Sequence, residues 1–216
     1  MPAGTIVSIS PVHAIPFAEH GVSRDGISYG AKRVTDGLQA AGFKAYVVGG
    51  AVRDLLLKRD PKDFDVATDA TPEEVKRVFR RAHIIGRRFR LVHVMFGQET
   101  VEVSTFRRAL EAEEAQTDAH GRILRDNEFG NMEQDAARRD FTANGLFYDP
   151  TTQEIFDYHH GVDDVRANVL RMIGDPATRY REDPVRMLRA VRLSAKLGMT
   201  IDPATAQPIF GMKELL

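Results

Sequence analysis

The sequence contains no cysteine, which excludes disulfide bonds, thiolate catalysis and cysteine-ligated zinc sites. It has no apolar run that approaches the roughly 18 residues of a membrane-spanning helix. Its first residues show no basic segment leading into an apolar one, so no signal peptide is expected. The lack of cysteine also fits a reducing compartment. These absences together predict a cytoplasmic protein that contacts no membrane.

The chain of 216 residues carries almost no net charge, −1 at pH 7, but its charges are segregated. Residues 73–108 contain nine Lys and Arg against four acids, and residues 166–196 contain eight against three. Such segregation can build a positive groove for a phosphate chain, although solvated helix faces would give the same counts. With 43% hydrophobic and 28% charged residues, the composition is that of a globular protein.

Hydrophobic periodicity predicts an α+β fold with a small mixed β-sheet. Helices are expected over 28–41, 51–57, 71–81, 131–138, from 162 onward and over 184–197. Strands are expected over 45–48, 63–68, 91–96, 100–106, 146–148 and 154–157. Residues 1–24 are predicted to form an irregular leader and 109–122 a loop. The order of elements predicts a sheet-containing domain over 25–160, followed by a helical region over 161–216.

Two aspartates flank a phenylalanine in the alternating segment DFDVAT (63–68). Residues i and i+2 of a strand point to the same face, so Asp63 and Asp65 would lie side by side and Phe64 would point into the core. Carboxylates that close repel each other unless a cation lies between them. Oxygen ligands of this kind suit Mg²⁺. The alternative is that Asp63 only ends the turn at Pro61.

A pair of glycines, Gly49 and Gly50, joins the strand over 45–48 to the helix that follows. Glycines at this position leave backbone N–H groups unobstructed at a helix N-terminus, where phosphate binds readily. Arg53, one turn into the helix, would add a charged contact. Two glycines alone could mark only a tight turn, but here they precede the aspartate pair on the next strand. The combination predicts a nucleoside triphosphate site.

The segment GGAVRDLLLKRDPKDFDVAT (49–68) resembles the signature of the polymerase-β-like nucleotidyltransferase superfamily. Within it, the match is to the class II group of bacterial poly(A) polymerases and tRNA CCA-adding enzymes. It continues through RRDFTANGLFYD (138–149) and REDPVRMLRAVRLSAKLG (181–198). The resemblance implies a catalytic head domain over 25–160 and the start of a base-recognising neck domain over 161–216. Family members continue with a helical body and a basic tail that grip RNA, and we expect both to be absent from this chain.

The resemblance also implies roles for individual residues. Asp63 and Asp65 would bind two Mg²⁺ ions, and Asp140 would be a further catalytic acid. The residues alone make Glu102 its rival for the third carboxylate, because it lies mid-strand in TVEVSTF and a neighbouring strand could bring it beside the two aspartates. The phosphates and sugar of ATP would be contacted by Gly49, Gly50, Arg53, Arg138 and Arg139. The adenine base would be read by Glu182, Asp183 and Arg186, and Arg189, Arg192 and Lys196 would continue towards the triphosphate or RNA.

Ordinary structural roles remain open for several of these residues. Arg139 and Asp140 could form a plain surface ion pair. Asp183 could be a helix N-cap, and Glu182 with Arg186 has the i, i+4 spacing of a helical ion pair. His93 is expected to be a core residue rather than a ligand.

Basic residues surround an aromatic one just before the strand over 91–96. Arg87, Arg88 and Arg90 around Phe89 would suit the end of a single-stranded RNA.

The choice within the group depends on ILRDN (123–127), which resembles the L-L-R-D-N element typical of the bacterial poly(A) polymerases. The sequence therefore predicts transfer of AMP from ATP to the 3′-hydroxyl of RNA without a template. The RNA would be mRNA, small regulatory RNA or tRNA precursors. A CCA-adding enzyme is the alternative within the group, and a non-catalytic ATP- or RNA-binding module is the alternative from another class. The intact pair Asp63 and Asp65 argues against such a module, since a pair of repelling carboxylates serves no purpose there.

Overall fold

The structure is a computed structural model that describes residues 12–86, 90–109 and 129–216. Its strands are β1 His13–Ile15, β2 Ala45–Val48, β3 Asp65–Thr68, β4 Ala82–Ile85, β5 Leu91–Phe96, β6 Glu99–Thr105, β7 Leu146–Asp149, β8 Glu154–Asp157, β9 Val169–Leu170 and β10 Thr200–Ile201. Its helices are α1 Phe17–His20, α2 Tyr29–Ala40, α3 Gly50–Leu56, α4 Pro72–Val78, α5 Met132–Arg138, α6 Gly161–Arg166, α7 Pro176–Glu182, α8 Val185–Leu197 and α9 Pro203–Met212. These elements confirm the predicted α+β class.

Eight of these strands form one mixed sheet, in the order β1-β8-β7-β2-β3-β6-β5-β4. The pair β3–β6 is parallel, and the other neighbours in this sheet are antiparallel. The parallel register places Asp65 opposite Glu102. Strands β9 and β10 form a separate parallel pair next to the last helices. The sheet therefore brings two acidic residues from distant segments onto adjacent strands.

The two faces of the large sheet are covered differently. On one face, Val66, Val92 and Val103 pack against α2 and α4 in a fully buried apolar cluster. On the other face, Val48 and Ala67 pack against Met132 and Ala136 of α5. A third cluster, which includes Phe141, Tyr180 and Met187, joins α7, α8 and β9. Side chains of β5 that point to the second face, such as His93 and Met95, stay partly exposed.

Local sequence signals explain where several elements begin and end. The Thr71 hydroxyl accepts a hydrogen bond from the backbone N–H of Glu74, and the Glu74 carboxylate accepts one from the N–H of Thr71, which forms a capping box at the start of α4. Gly198 ends α8 in the left-handed region, with φ 73°. None of the helices in the described ranges is long and apolar enough to cross a membrane.

The structure corrects some predicted boundaries and adds elements. Strand β3 begins at Asp65, two residues later than predicted, and α4 ends at Val78, three residues before the predicted end. The prediction of an irregular segment over 1–24 is wrong for β1 and α1, because β1 pairs with β8 in the sheet. Elements β4, α7, β9, β10 and α9 were not predicted. The ILRDN segment, Arg87, Arg88, Phe89 and nearly all of the 109–122 loop lie outside the described residues.

Candidate active site

A cleft of about 820 Å³ opens between the large sheet and helix α8. It is lined by Val48, Gly49, Gly50, Arg53, Asp65, Leu91, Glu102, Ser104, Arg107, Arg138, Arg139, Asp140, Asn144, Asp183, Val185, Arg186, Arg189, Arg192, Leu193 and Lys196. Most of the site residues predicted from the sequence therefore meet in one place. Of the described residues, Asp63 and Glu182 were predicted for the site but do not line this cleft.

Acidic side chains gather at the start of β3. Asp65 opens the strand, and its partner in register on β6 is Glu102. Burial by the surrounding protein, followed by the negative charge of Glu102, raises the pKa of Asp65 to about 6, although the side chain keeps access to solvent in the cleft. Asp63 precedes the strand, and its charge raises the same pKa further. As predicted, Phe64 points away from the carboxylates and packs against the core beside Leu55 and Leu56.

These carboxylates fit a divalent cation of the Mg²⁺ type. Neither Asp63 nor Asp65 accepts a hydrogen bond from the described part of the chain, and the nearby charge of Arg139 only partly offsets the burial and the acidic neighbours that raise the pKa of Asp65. Within the described ranges, no group of three or more His, Cys, Asp or Glu is placed to hold a metal ion. Mg²⁺ needs only one or two protein carboxylates, because water and phosphate oxygens complete its shell. Asp63, Asp65 and Glu102 are the residues available for that role.

The glycine pair builds a sharp turn between β2 and α3. Gly49 is the N-cap residue, with φ 70° and ψ −132°, a backbone conformation that is essentially restricted to glycine. A Cβ atom at this position would lie 3.5 Å from Nη1 of Arg139. The guanidinium of Arg139 therefore lies directly beside the turn, where an anion at the start of α3 would meet it.

Arg53 holds this turn against the segment that follows α5. The side chain is buried, and its Nη1 atom donates to Oδ1 of Asn144 at 2.6 Å. Its Nε and Nη2 atoms both donate to Oδ1 of Asp54, at 2.9 and 2.7 Å. These bonds fix the guanidinium in one orientation in the cleft lining. Arg53 therefore both stabilises the turn and adds positive charge to the cleft.

Asp135 is a site residue that the sequence reasoning missed. It is fully buried, and its carboxylate pairs with Arg138 at 2.7 Å and with Arg139 at 2.9 Å. Burial alone would raise the pKa of Asp135, but the charges and hydrogen bonds of the two arginines outweigh it and lower the pKa. The i, i+3 and i, i+4 spacings on α5 were a signal that could have identified it. Asp135 holds both arginines towards the cleft.

Asp140 uses both of its carboxylate oxygens within the protein. Oδ1 accepts from the backbone N–H of Phe141 at 2.8 Å and from Nδ2 of Asn144 at 3.0 Å. Oδ2 accepts from Nε of Arg189 at 2.8 Å and also from its Nη2 atom. The arrangement joins the segment after α5 to α8. It differs from that of Asp65, which accepts no hydrogen bond from the residues described.

The EDPVR segment makes the local contacts expected of a helix junction. Oε2 of Glu182 accepts from Arg186 at 3.0 Å, which is the predicted i, i+4 ion pair. Asp183 accepts from the backbone N–H of Val185 at 3.2 Å, as a residue at a helix start does. Asp183 and Arg186 also face the cleft, so these contacts orient them rather than remove them from it.

Arg179, on α7, is a second residue that the sequence reasoning missed. Its Nη2 atom donates to the carbonyl oxygens of Arg138 and Arg139, each at 2.7 Å, and its Nη1 atom donates to Glu182 at 2.8 Å. Burial, and then the charge of Arg186, lowers the pKa of Arg179. This side chain ties the backbone of the RRD segment to the helix that precedes EDPVR.

The histidine on β5 departs from its prediction. His93 is not in the core: its side chain is 38% exposed, and its Nε2 atom lies 3.7 Å from Oε2 of Glu102. Strand register explains the contact, because His93 is directly opposite Glu102 on the neighbouring strand. Arg90, the described member of the predicted RNA-binding arginines, pairs with Glu73 on the surface.

A cationic cleft with acidic residues on adjacent strands of a mixed sheet is typical of nucleotidyltransferases. Residues 45–171 match the family model described as Poly A polymerase head domain. The chain therefore belongs to the poly(A) polymerase head-domain family, within the superfamily that the sequence resemblance indicated.

Curated relatives and a solved structure show the same relationship. The chain is 53% identical to Poly(A) polymerase I of Salmonella typhi over 94% of its own length and 44% of the relative's. It is 40% identical to the CCA-adding enzyme of Lactobacillus helveticus over 86% of its length and 45% of that protein's. The crystal structure of the Bacillus stearothermophilus CCA-adding enzyme in complex with CTP matches with a TM-score of 0.69 and 37% identity, over 83% of this chain and 42% of that one. The chain thus spans less than half the length of these relatives.

Proposed function

We propose that this chain carries the catalytic centre of a polynucleotide adenylyltransferase, which transfers AMP from ATP to the 3′-hydroxyl of RNA and releases pyrophosphate. The observation that carries the proposal is the pairing of Asp65 with Glu102 in a cleft whose lining also includes seven arginines. Asp65 and Glu102 accept no hydrogen bond from the described residues and could bind a metal ion, and the arginines held in place beside them could bind phosphate.

The triphosphate is placed by the turn and the arginines around it. Gly50 presents its backbone N–H at the start of α3, while the N–H of Gly49 donates to the carbonyl oxygen of Leu146, and Arg53 and Arg139 add charge on either side of the turn. Arg138 belongs to the same group, because Asp135 holds it together with Arg139. Since these side chains are fixed before ATP binds, little conformational entropy is lost on binding.

Two Mg²⁺ ions at Asp63 and Asp65 would supply the charge that activates the RNA hydroxyl and neutralises the departing pyrophosphate. The elevated pKa of Asp65 supports this assignment, because a carboxylate crowded by Glu102 is stabilised by a bound cation. We assign the third carboxylate to Glu102 rather than to Asp140. Glu102 adjoins Asp65 in the sheet, whereas both oxygens of Asp140 are bonded within the protein. Asp140 then serves to position Arg189.

Base recognition is assigned to α8 and the residues before it. Asp183 accepts hydrogen bonds and would take one from the exocyclic amine of adenine, while Arg186 would donate to a ring nitrogen. Glu182 lies outside the cleft lining and would act by holding Arg186. Residues 25–160 would then correspond to a head domain and 161–216 to the beginning of a neck domain.

The preference for ATP is supported by the relatives named Poly(A) polymerase I, which are more similar to this chain than those named CCA-adding enzyme. An extension assay with Mg²⁺ tests the proposal, using each NTP separately on an A-tailed RNA and on a tRNA that lacks its CCA end. Long tails with ATP alone are expected, and Asp65→Ala should abolish them. Addition limited to C, C and A on the tRNA would assign CCA addition instead. Absence of incorporation with retained ATP binding would favour a binding module.

A further inference from the structure

A second cavity, of about 530 Å³, lies at the turn between β5 and β6. It is lined by Tyr29, Phe79, Arg80, Arg81, Val94, Met95, Phe96 and Gly97, and is called the aromatic groove below. No role assigned so far to the cleft involves these residues. The groove combines one exposed and two half-buried aromatic rings with positive charge.

Its rings form a connected surface. Phe96 packs edge-on against Tyr29, with centroids 6.1 Å apart, and against Phe79 at 6.2 Å. Tyr29 is nevertheless 66% exposed, a high fraction for an aromatic side chain. Its position at the first residue of α2 leaves the ring open to a flat partner such as a nucleobase.

The cations around these rings are unneutralised. The side chains of Arg80 and Arg81 are exposed and form no hydrogen bond or ion pair with any residue in the described ranges. Arg33, one helical turn after Tyr29 on α2, is exposed and likewise has no such partner there. Unpaired arginines beside stacking surfaces are complementary to a polyanion that carries flat bases. A purely apolar protein segment would leave these charges without partners.

The groove adjoins the cleft across the end of the β5–β6 hairpin, because its rings lie on the sheet face that α2 and α4 cover and the cleft lies on the other face. His93 lies opposite Glu102 in the β5–β6 register, and Met95, two residues on, points to the same face of the sheet. Met95 lines the groove, about 7 Å further along the strand. Both side chains are partly exposed, so a strand that leaves the cleft would pass over them and round the turn at Gly97 to reach the rings.

We propose that the aromatic groove binds single-stranded RNA a few nucleotides upstream of the 3′ end, with a base stacked on Tyr29 and phosphates held by Arg80 and Arg81. The inference rests on the proposed function, because the 3′ end must lie at Asp65 and Glu102 for the upstream strand to cross Met95. It assigns the chain an RNA contact outside the catalytic cleft.

Fluorescence anisotropy with an oligoadenylate of about 16 nucleotides, enough to fill a single-strand site, measures this contact. Tyr29→Ala is expected to weaken binding about tenfold, while Tyr29→Phe retains the ring and the affinity. Arg80→Ala and Arg81→Ala are each expected to lower the slope of log K against log salt by about 0.7. Extension of a trinucleotide, too short to reach the groove, should be unchanged in all four variants.

Matched controls are available elsewhere on the surface. Phe210→Ala removes an aromatic ring that is 82% exposed on α9, and Lys44→Ala removes an exposed cation before β2. Both should bind the oligoadenylate as the unmodified chain does, and thermal unfolding of every variant checks its fold. If the chain binds and extends the RNA and the groove variants behave like these controls, the groove proposal is wrong and the proposed function stands. If the unmodified chain neither binds nor extends RNA, both are wrong.

Discussion

Asp140 and Arg189 are 49 positions apart in the chain, and the Nε atom of Arg189 lies 2.8 Å from Oδ2 of Asp140. The pair connects the segment after α5 with helix α8, so it joins the side of the cleft that we propose binds phosphate to the side that we propose binds the base. Both carboxylate oxygens of Asp140 accept hydrogen bonds, whereas Glu102 accepts none from the described residues. This arrangement separates two carboxylates that the sequence left as rivals for one catalytic role.

The first prediction concerns that separation. Glu102→Gln is expected to lower kcat about 10²- to 10³-fold, because it removes a charge next to Asp65. Asp140→Asn is expected to raise KM for ATP with kcat changed less than about tenfold, because it frees Arg189 without removing a metal ligand. Steady-state kinetics at saturating RNA measures both constants. A loss of kcat in Asp140→Asn as deep as in Glu102→Gln would assign the catalytic role to Asp140.

The second prediction follows from the raised pKa of Asp65. Its pKa is about 6 in the folded protein, against 3.8 for an ordinary aspartate, so between these pH values the folded state binds more protons than the unfolded state. The stability contributed by this group is therefore full below about pH 4 and is lost as pH rises through about 6. Asp65→Asn should be more stable than the unmodified chain at pH 7, by about 1 kcal/mol once solvent screening is included.

Denaturant unfolding of both proteins across this pH range gives the difference directly. The difference should grow from pH 4 to pH 7 and shrink when Mg²⁺ is added, because a bound cation stabilises the ionised carboxylates of the unmodified chain. A difference that is constant with pH would show that Asp65 is not crowded in the folded state.

The third prediction concerns the turn at Gly49, whose φ is 70°. Gly49→Ala should destabilise the fold by about 1–3 kcal/mol and raise KM for ATP, because the new methyl group is strained and lies beside Arg139. Gly42→Ala is the matched control, since Gly42 has φ 90° with open space around its Cβ position. Both variants should unfold at lower temperature. Equal values of KM for ATP in the two variants would contradict the phosphate role of the turn.

The fourth prediction concerns Arg179, which donates to two carbonyl oxygens and one carboxylate. Arg179→Ala should lower the free energy of unfolding by about 2–3 kcal/mol, because the carbonyls of Arg138 and Arg139 lose charged donors. Arg179→Lys keeps the charge but cannot span all three acceptors, so it should restore stability only in part. Thermal unfolding of the unmodified chain and both variants gives the order of their stabilities. Full recovery in Arg179→Lys would mean that charge alone matters.

Most of the fold was predictable because its signals are local. The capping box at Thr71, the left-handed Gly198 and the alternation in β5 and β6 each fix an element without distant contacts. The elements that were not predicted, such as the two-residue strands β9 and β10, depend on partners far away in the chain. Strand β1 lies in a proline-containing segment and is stabilised by pairing with β8. Local patterns do not show which distant strand a segment will pair with.

The residues of the site also divide into those that local sequence predicts and those that depend on distant partners. Asp65, Gly49 and Arg53 lie within one short segment, so their association could be predicted. The pair of the buried Asp140 with the exposed Arg189 and the bridge made by Arg179 depend on the docking of α7 and α8 against the segment after α5. His93 was misassigned because alternation does not indicate which face of β5 stays open.

The most direct test of the account compares the AMP incorporated with the pyrophosphate released, using an RNA with a 3′-hydroxyl and the same RNA ending in a 3′-deoxy sugar. The account predicts equal molar amounts of both products on the first RNA, neither on the second, and neither with Asp65→Ala. Nucleotide turnover that continues on the 3′-deoxy RNA, or incorporation that persists in Asp65→Ala, would contradict transfer to an RNA 3′-hydroxyl at this site.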